Sequence, residues 1–276
     1  MRISLVNFEI RPLTSLDGYR RHVMELVEWM DAPDVVVFPE LLTLEWLSFC
    51  PFRGVEEATW MAERADFHLE VMAEVARRWR ATVVGGTTFF PSPEGIRHYC
   101  PIVRPNGDVL MQPKVKRTQF EIEDWNVIET TGLHPIPPLG VLVCYDSEFP
   151  EAGRALAEAG VEVIAVPTYT ETARGVHRVR TGCQARALEN QVYVVVASLN
   201  GSLGREPVPQ AMGVSAVYAP MVHPFPTDGV VAQCREQETV LNVTLDLELL
   251  RRSREGDDVR NWADRSAEGW RLATPV

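Results

Sequence analysis

Val141-Leu142-Val143-Cys144-Tyr145-Asp146-Ser147-Glu148-Phe149-Pro150-Glu151 reads as a buried strand that breaks off into a reactive side chain and then into a helix. The apolar run predicts a strand over 141–143, and the spacing after it predicts a helix over 149–159, stopped by Gly160. Two other segments repeat the pattern. Asp34-Val35-Val36-Val37-Phe38 runs into Pro39-Glu40, and the apolar residues 192–197 run into Ser198-Leu199-Asn200. Strands without polar alternation are covered on both faces. In layered α/β folds, ligand sites form where strand carboxyl ends converge. The expectation is that Glu40, Cys144 and Asn200 surround one pocket.

Working outward, a first strand is expected over 2–8, then a helix capped by Thr14 or Ser15 and running to about Met30. A single long amphipathic helix is expected over 56–80, followed by a strand over 81–86. The Asn106-Gly107 pair between apolar segments 99–103 and 109–112 predicts a hairpin whose second arm delivers Lys114. A strand over 161–166 closed by Pro167, a helix over 178–190, and strands over 211–218 and 238–245 complete the reading. Strands alternating with helices indicate an α/β fold with a mostly buried mixed sheet. Residues 1–247 form one expected domain. The charged segment 248–276, with Trp262 and Trp270, is expected as an extension that packs on the body or on a partner subunit.

The chain has 276 residues, of which 46% are hydrophobic, enough for a sizeable core. A net charge of -11 argues against nucleic-acid binding and against an anionic membrane surface. The N-terminal apolar run is too short for a signal peptide, and no stretch is long enough to span a bilayer. Five cysteines, Cys50, Cys100, Cys144, Cys183 and Cys234, are widely spaced without a Cys-x-x-Cys pair, as in a reduced cytoplasmic protein. There is no Cys-x-x-Cys or His-x-x-x-His metal pattern and no phosphate-binding glycine loop; Gly85-Gly86 alone carries no such meaning.

Taken singly, Cys144 is an ordinary buried thiol, Glu40 a surface or capping carboxylate and Lys114 a solvated charge. Together the three have a chemistry. A thiol attacks only as thiolate, so a base and a fixed cation beside it would make a nucleophile. Asp146 and Glu151 are expected to satisfy backbone N–H groups around the helix start. Arg174, His177, Arg178 and Arg180 form a basic cluster able to bind a substrate carboxylate. Leu44, Trp46, Leu47 and Phe49 could line an apolar part of the pocket or belong to the core.

Three blocks, in order, resemble the nitrilase superfamily of carbon–nitrogen hydrolases. They are Val37-Phe38-Pro39-Glu40; Gln112-Pro113-Lys114-Val115-Lys116 with Phe120-Glu121; and Val143-Cys144-Tyr145-Asp146-Ser147-Glu148-Phe149-Pro150-Glu151. A fourth segment, Ala185-Arg186-Ala187-Leu188-Glu189-Asn190-Gln191-Val192-Tyr193-Val194, is also similar to the family. The resemblance extends to about Leu247. It implies a four-layer αββα sandwich whose subunits pair as a homodimer or higher homo-oligomer. It also implies a reaction without metal or organic cofactor, in which Cys144 is the nucleophile on a small amide-like substrate. Glu40 would be the general base, and Lys114 would stabilise the oxyanion with the Tyr145 amide. Glu121, or by a shifted register Glu123, would be the second glutamate, and Lys116 competes with Lys114. Tyr145, Trp46, His177, Arg178 and Asn200 are the expected substrate contacts. The Tyr145-Asp146 pair is closer to amidases than to true nitrilases. Nitrile or N-carbamoyl hydrolysis, a Cys144–His177 hydrolase and an inactive binding member are the alternatives. Many amidase relatives have Arg where this chain has Glu148. That departure weakens any transfer of substrate identity from them. The sequence resembles a less characterised branch, some of whose members are fused to an acetyltransferase-like domain, for which this chain is too short.

Overall fold

A computed structural model describes residues 1–235, 238–256 and 258–265. In chain order its first half contains β1 (Arg2–Ile10), α1 (Leu16–Val27), β2 (Val35–Phe38), α2 (Val55–Ala62), α3 (Ala65–Trp79), β3 (Thr82–Gly85), β4 (Thr88–Ser92), β5 (Gly95–Val103), β6 (Val109–Pro113) and α4 (Gln119–Glu123). The second half contains β7 (Leu139–Val141), α5 (Pro150–Glu158), β8 (Val163–Thr168), α6 (Ala173–Asn190), β9 (Tyr193–Gly201), β10 (Ala216–Tyr218), β11 (Val230–Gln233), β12 (Thr239–Thr244) and α7 (Leu247–Ser253). Strands β12, β1, β2, β3, β5, β4 and β6 form one mixed sheet, and β7 to β11 form a second. β1 joins them: residues 2–7 pair with β12 and residues 3–5 with β2, while Phe8, Glu9 and Ile10 pair with Leu199, Asn200 and Gly201 of β9.

Side-chain alternation separates the layers, because successive residues of a strand point to opposite faces. Ile3, Leu5, Val35 and Val37 pack into a core shared with Val163, Ala165 and Val195 of the second sheet. Their neighbours Val6, Phe8, Val36 and Phe38 pack against Tyr19 and Val23 of α1 and Met72 and Val75 of α3. On the far side, Leu156 of α5 and Val179, Cys183 and Ala187 of α6 cover the second sheet. The result is helices, sheet, sheet, helices, the four-layer αββα arrangement expected above.

The departures from the sequence reading are local. Ser15, not Thr14, caps α1, its hydroxyl accepting from the Gly18 amide at 3.2 Å. The expected helix over 56–80 is two helices broken at Glu63-Arg64, α2 lying against β4 and α3 against β3 and α1. No glycine or proline marks that break; packing on two different surfaces decides it. β8 runs through Pro167, which the sequence reading takes as its end. β7 pairs β8 only as far as Ala165, so beyond that point the proline faces an empty edge and removes no ladder bond. The strand expected over 211–218 is confined to β10. Among the described residues after Asp246, Arg251 and Arg254 pair with Glu162, and the Trp262 ring lies 3.7 Å from the Arg254 guanidinium. Trp270 lies outside the described residues. The five cysteines are free, and no described helix is long and apolar enough to cross a membrane.

Gly86 has a structural role after all. It has φ +67°, and a Cβ there would sit 2.2 Å from the Pro39 carbonyl oxygen. The main chain beside Glu40 can lie this close only against glycine. Gly86→Ala is expected to cost about 3 kcal/mol or more from backbone strain and overpacking combined. Urea denaturation of the variant beside wild type checks this, and an unchanged midpoint would contradict it.

Candidate active site

The site lies on the seam between the sheets. Glu40 follows β2, and Lys114 follows β6, both in the first sheet; Cys144 follows β7, and Thr168 and Tyr169 close β8, all in the second. The β5–β6 hairpin, turning through Asn106-Gly107 as expected, pairs Tyr99 with Pro113 and bonds the Lys114 amide to the His98 carbonyl at 3.0 Å. That register drives the Lys114 side chain inward. Its ammonium is 2% exposed and donates to Glu40 Oε1 and to Glu121 Oε2, both at 2.7 Å. Of the two glutamates considered, Glu121 is the partner; Glu123 is exposed and bonds Gln119. Lys116 lies over the Phe149 ring instead.

Burial alone would strip charge from these groups. It acts to lower the Lys114 pKa, but Glu121 and Glu40 outweigh it and hold the ammonium charged. Burial acts to raise Glu121, but Lys114 and His98 hold that carboxyl well below the usual range. The chain of contacts closes on itself. Glu121 Oε1 meets His98 Nδ1 at 2.5 Å, His98 Nε2 meets the Thr87 hydroxyl at 2.6 Å, and the Leu41 amide, next to Glu40, donates to that hydroxyl at 2.9 Å. Every member of the chain has a partner, His98 bridging Glu121 and Thr87 through its two ring nitrogens. Thr118 caps α4 and bonds Glu121 through both its amide and its hydroxyl.

Cys144 has φ 43°, a left-handed conformation that a non-glycine residue adopts only when its surroundings impose it. A 3-10 turn starts there, over Cys144–Glu148, and α5 begins only at Pro150. The Asp146 carboxylate holds this turn, accepting from the amides of Val143, Val115 and Lys116. It thereby ties the Cys144 turn to the lysine loop. Burial, outweighing those amides and Lys114, pushes Asp146 up to about 6. The Cys144 sulfur receives a hydrogen bond from Thr168 Oγ1 at 3.1 Å and reaches the Tyr169 carbonyl at 3.4 Å, while the Tyr169 amide donates to Glu40 Oε2 at 2.9 Å. One peptide segment thus touches both the carboxylate and the thiol. Burial and the Glu40 charge raise the thiol well above its ordinary pKa, against the pull of Lys114. Glu40, His98 and Glu121 are the one group of metal-type donors found among the described residues; the ammonium they surround already supplies the positive charge a metal ion would bring.

A cavity of about 300 Å³ opens over these groups, lined by Glu40, Lys114, Glu121 and Cys144 below and by Tyr145, Glu148, Tyr169, Glu171 and Arg178 towards its mouth. Three expected contacts lie elsewhere. Trp46 is fully buried in the first-sheet core, edge-on to Tyr19, because the 3-10 turn over Leu42–Ser48 points it at α1. His177 lines two other cavities, since successive residues of α6 point about 100° apart and Arg178 takes the direction of Cys144. Asn200 also lines one of those, because β9 does not stop at Ala197 but continues to pair with β1; its Oδ1 accepts from the Gly213 amide at 2.8 Å. Thr168, Tyr169 and His98 escape the sequence reading. The signal for the first two was a third strand ending at the site, obscured by Pro167.

The Carbon-nitrogen hydrolase family profile matches residues 2–255. The chain belongs to this family. It is 30% identical over 277 residues to the probable hydrolase YhcX of Bacillus subtilis, covering 96% of this chain but only 53% of that protein. The chain thus spans about half of that relative's length. It is 30% identical over 266 residues to an (R)-stereoselective amidase of a Pseudomonas species, covering 94% of this chain and 89% of the amidase. The crystal structure of a carbon-nitrogen hydrolase from Helicobacter pylori superposes with TM-score 0.78 at 17% identity over 92% of each chain, a likeness of fold. In this family member the lysine pair gives a pH signature. Glu121's depressed pKa means that its contribution is present above the unfolded value near 4.3 and is lost as pH falls. Lys114→Met leaves two buried carboxylates facing each other, an expected loss of about 3–5 kcal/mol at pH 7. Without the ammonium the Glu121 carboxyl loses what holds it ionised, so the deficit of the variant relative to wild type is expected to shrink from pH 7 to 5. Denaturant melts of both proteins at both pH values check the difference.

Proposed function

We propose that the chain hydrolyses a small linear amide to a carboxylic acid and ammonia or an amine through a thioester on Cys144. Supporting this reading above all is the Lys114 ammonium, held between Glu40 and Glu121 at the base of the cavity that Cys144 borders. The similarity to the Pseudomonas amidase adds to it.

In the proposed reaction the resting nucleophile is a neutral thiol, since burial and Glu40 both oppose its ionisation. Glu40 takes the thiol proton as sulfur bonds to the carbonyl carbon. The oxygen becomes an oxyanion, stabilised by Lys114, which has a third N–H beyond the two given to the glutamates, and by the Tyr145 amide. That amide lies in the first turn of the 3-10 segment, where N–H groups have no acceptor within the turn. One such donor lowers a barrier by roughly 3–4 kcal/mol. Glu40 returns the proton to the nitrogen as the C–N bond breaks. Water then attacks the thioester, giving Glu40 its proton, and the departing sulfur regains it. Glu121 holds Lys114 in place through its own bonds to His98 and Thr118. N-carbamoyl compounds would share this route, whereas a nitrile would first give a thioimidate that adds one water before ammonia leaves and the thioester forms.

The test is intact-mass trapping with amides, nitriles and N-carbamoyl compounds. An acyl adduct is expected on wild type and none on Cys144→Ala. Glu40→Gln is expected to slow acylation about a hundredfold or more, while His177→Ala forms the adduct normally. The reverse pattern for Glu40 and His177 would favour a cysteine–histidine mechanism, and no adduct with any compound would refute the proposal.

A further inference from the structure

The amidase reading leaves the charge of the substrate open, and the walls of the cavity bear on it. The acidic and basic side chains lining it are Glu40, Glu121, Glu148, Glu171, Lys114 and Arg178, four carboxylates against two cations. At the base, Lys114 is shared between two carboxylates, so that end carries net negative charge before any substrate enters. At the mouth, Arg178 is already committed: its Nε donates to Glu148 Oε1 at 3.2 Å, and its side chain is 60% exposed and screened by water. Glu171 has no ion pair among the described residues and accepts from the Tyr169 hydroxyl at 3.0 Å. Burial raises the Tyr169 hydroxyl pKa, and Glu171, Glu40 and Glu206 raise it further. A substrate carboxylate would enter against this charge, with only an exposed guanidinium already held by Glu148 to receive it.

Resting on the amidase reading, we propose that the cavity selects a small amide carrying an ammonium or guanidinium group at the end remote from the amide, with Glu148 and Glu171 as the carboxylates that receive it. The cation neutralises the excess negative charge of the walls and makes charge-assisted hydrogen bonds at the mouth while the amide carbon meets Cys144. Glu148 is thereby a specificity determinant: at the turn that carries the nucleophile it gives the mouth an acceptor for cations.

The experiment compares three primary amides of equal chain length, one neutral, one ending in an ammonium and one in a carboxylate. Acylation of Cys144 is followed by intact mass and kcat/KM by ammonia release. The ammonium amide is expected to exceed the neutral one by about tenfold or more, the scale of one hydrogen bond to a charged group, and the carboxylate amide to be the poorest. Glu148→Gln with Glu171→Gln is expected to shrink the ratio of ammonium to neutral amide, chiefly through KM. Added salt is expected to shrink it in wild type, a readout that does not depend on how the variant folds. Equal rates for all three, or preference for the carboxylate, would overturn the inference and leave the amidase reading standing. Failure of all three, and of any other amide, to acylate Cys144 would end both.

Discussion

A single buried ammonium organises this molecule's site. Lys114 is out of water, and an isolated charge there would be intolerable. Two carboxylates from different elements must therefore meet it, Glu40 from the end of β2 and Glu121 from α4. Each carboxylate needs partners in turn, which bring in His98, Thr87, Thr118 and the Tyr169 amide. The β5–β6 hairpin, the short helix α4 and the end of β8 are in this sense arranged around one cation. Removing any member leaves another buried polar group without its complement, so the arrangement is held as a unit.

The same geometry keeps the thiol in an unusual position. Cys144 sits close enough to Glu40 and Lys114 to feel both charges, and they pull its acidity in opposite directions. Burial tips the balance towards the neutral form. A neutral thiol is a poor nucleophile unless a base takes its proton. Its left-handed backbone is secured by Asp146, whose three amide partners span the Cys144 turn and the lysine loop.

Much of this was legible in the sequence. Unbroken apolar runs ending in Glu40 and Cys144 located two corners of the site, because such strands can only be interior and their ends must open somewhere. Asn106-Gly107 located the hairpin that delivers the third. Glu121 could be placed by its distance from Lys114, but only the turn of α4 distinguishes it from Glu123. Other features depend on tertiary contacts that periodicity cannot carry. Trp46 and Asn200 follow strands of the right type, yet one turns into the helical layer and the other is claimed by β1. His177 and Arg178 are neighbours in sequence and differ only in the direction a helix gives them. Pro167 reads as a terminator, and is one only where a partner strand would need its missing N–H.

β1 is hydrogen-bonded to β2 and β12 over its early residues and to β9 over its last three. It is thus a common ruler, built of backbone pairing, for the two sheets. Sliding by one residue along it is a step of about 3.3 Å, larger than the 2.9 Å over which the Tyr169 amide of the second sheet reaches Glu40 of the first. The halves of the site, one carried by each sheet, therefore share a zero point set by backbone pairing rather than by greasy packing, which tolerates small shear. A chain whose first strand was cut away would lose the backbone pairing that aligns the carboxylate and ammonium of one sheet with the sulfur of the other, and keep only side-chain ties such as that of Asp146.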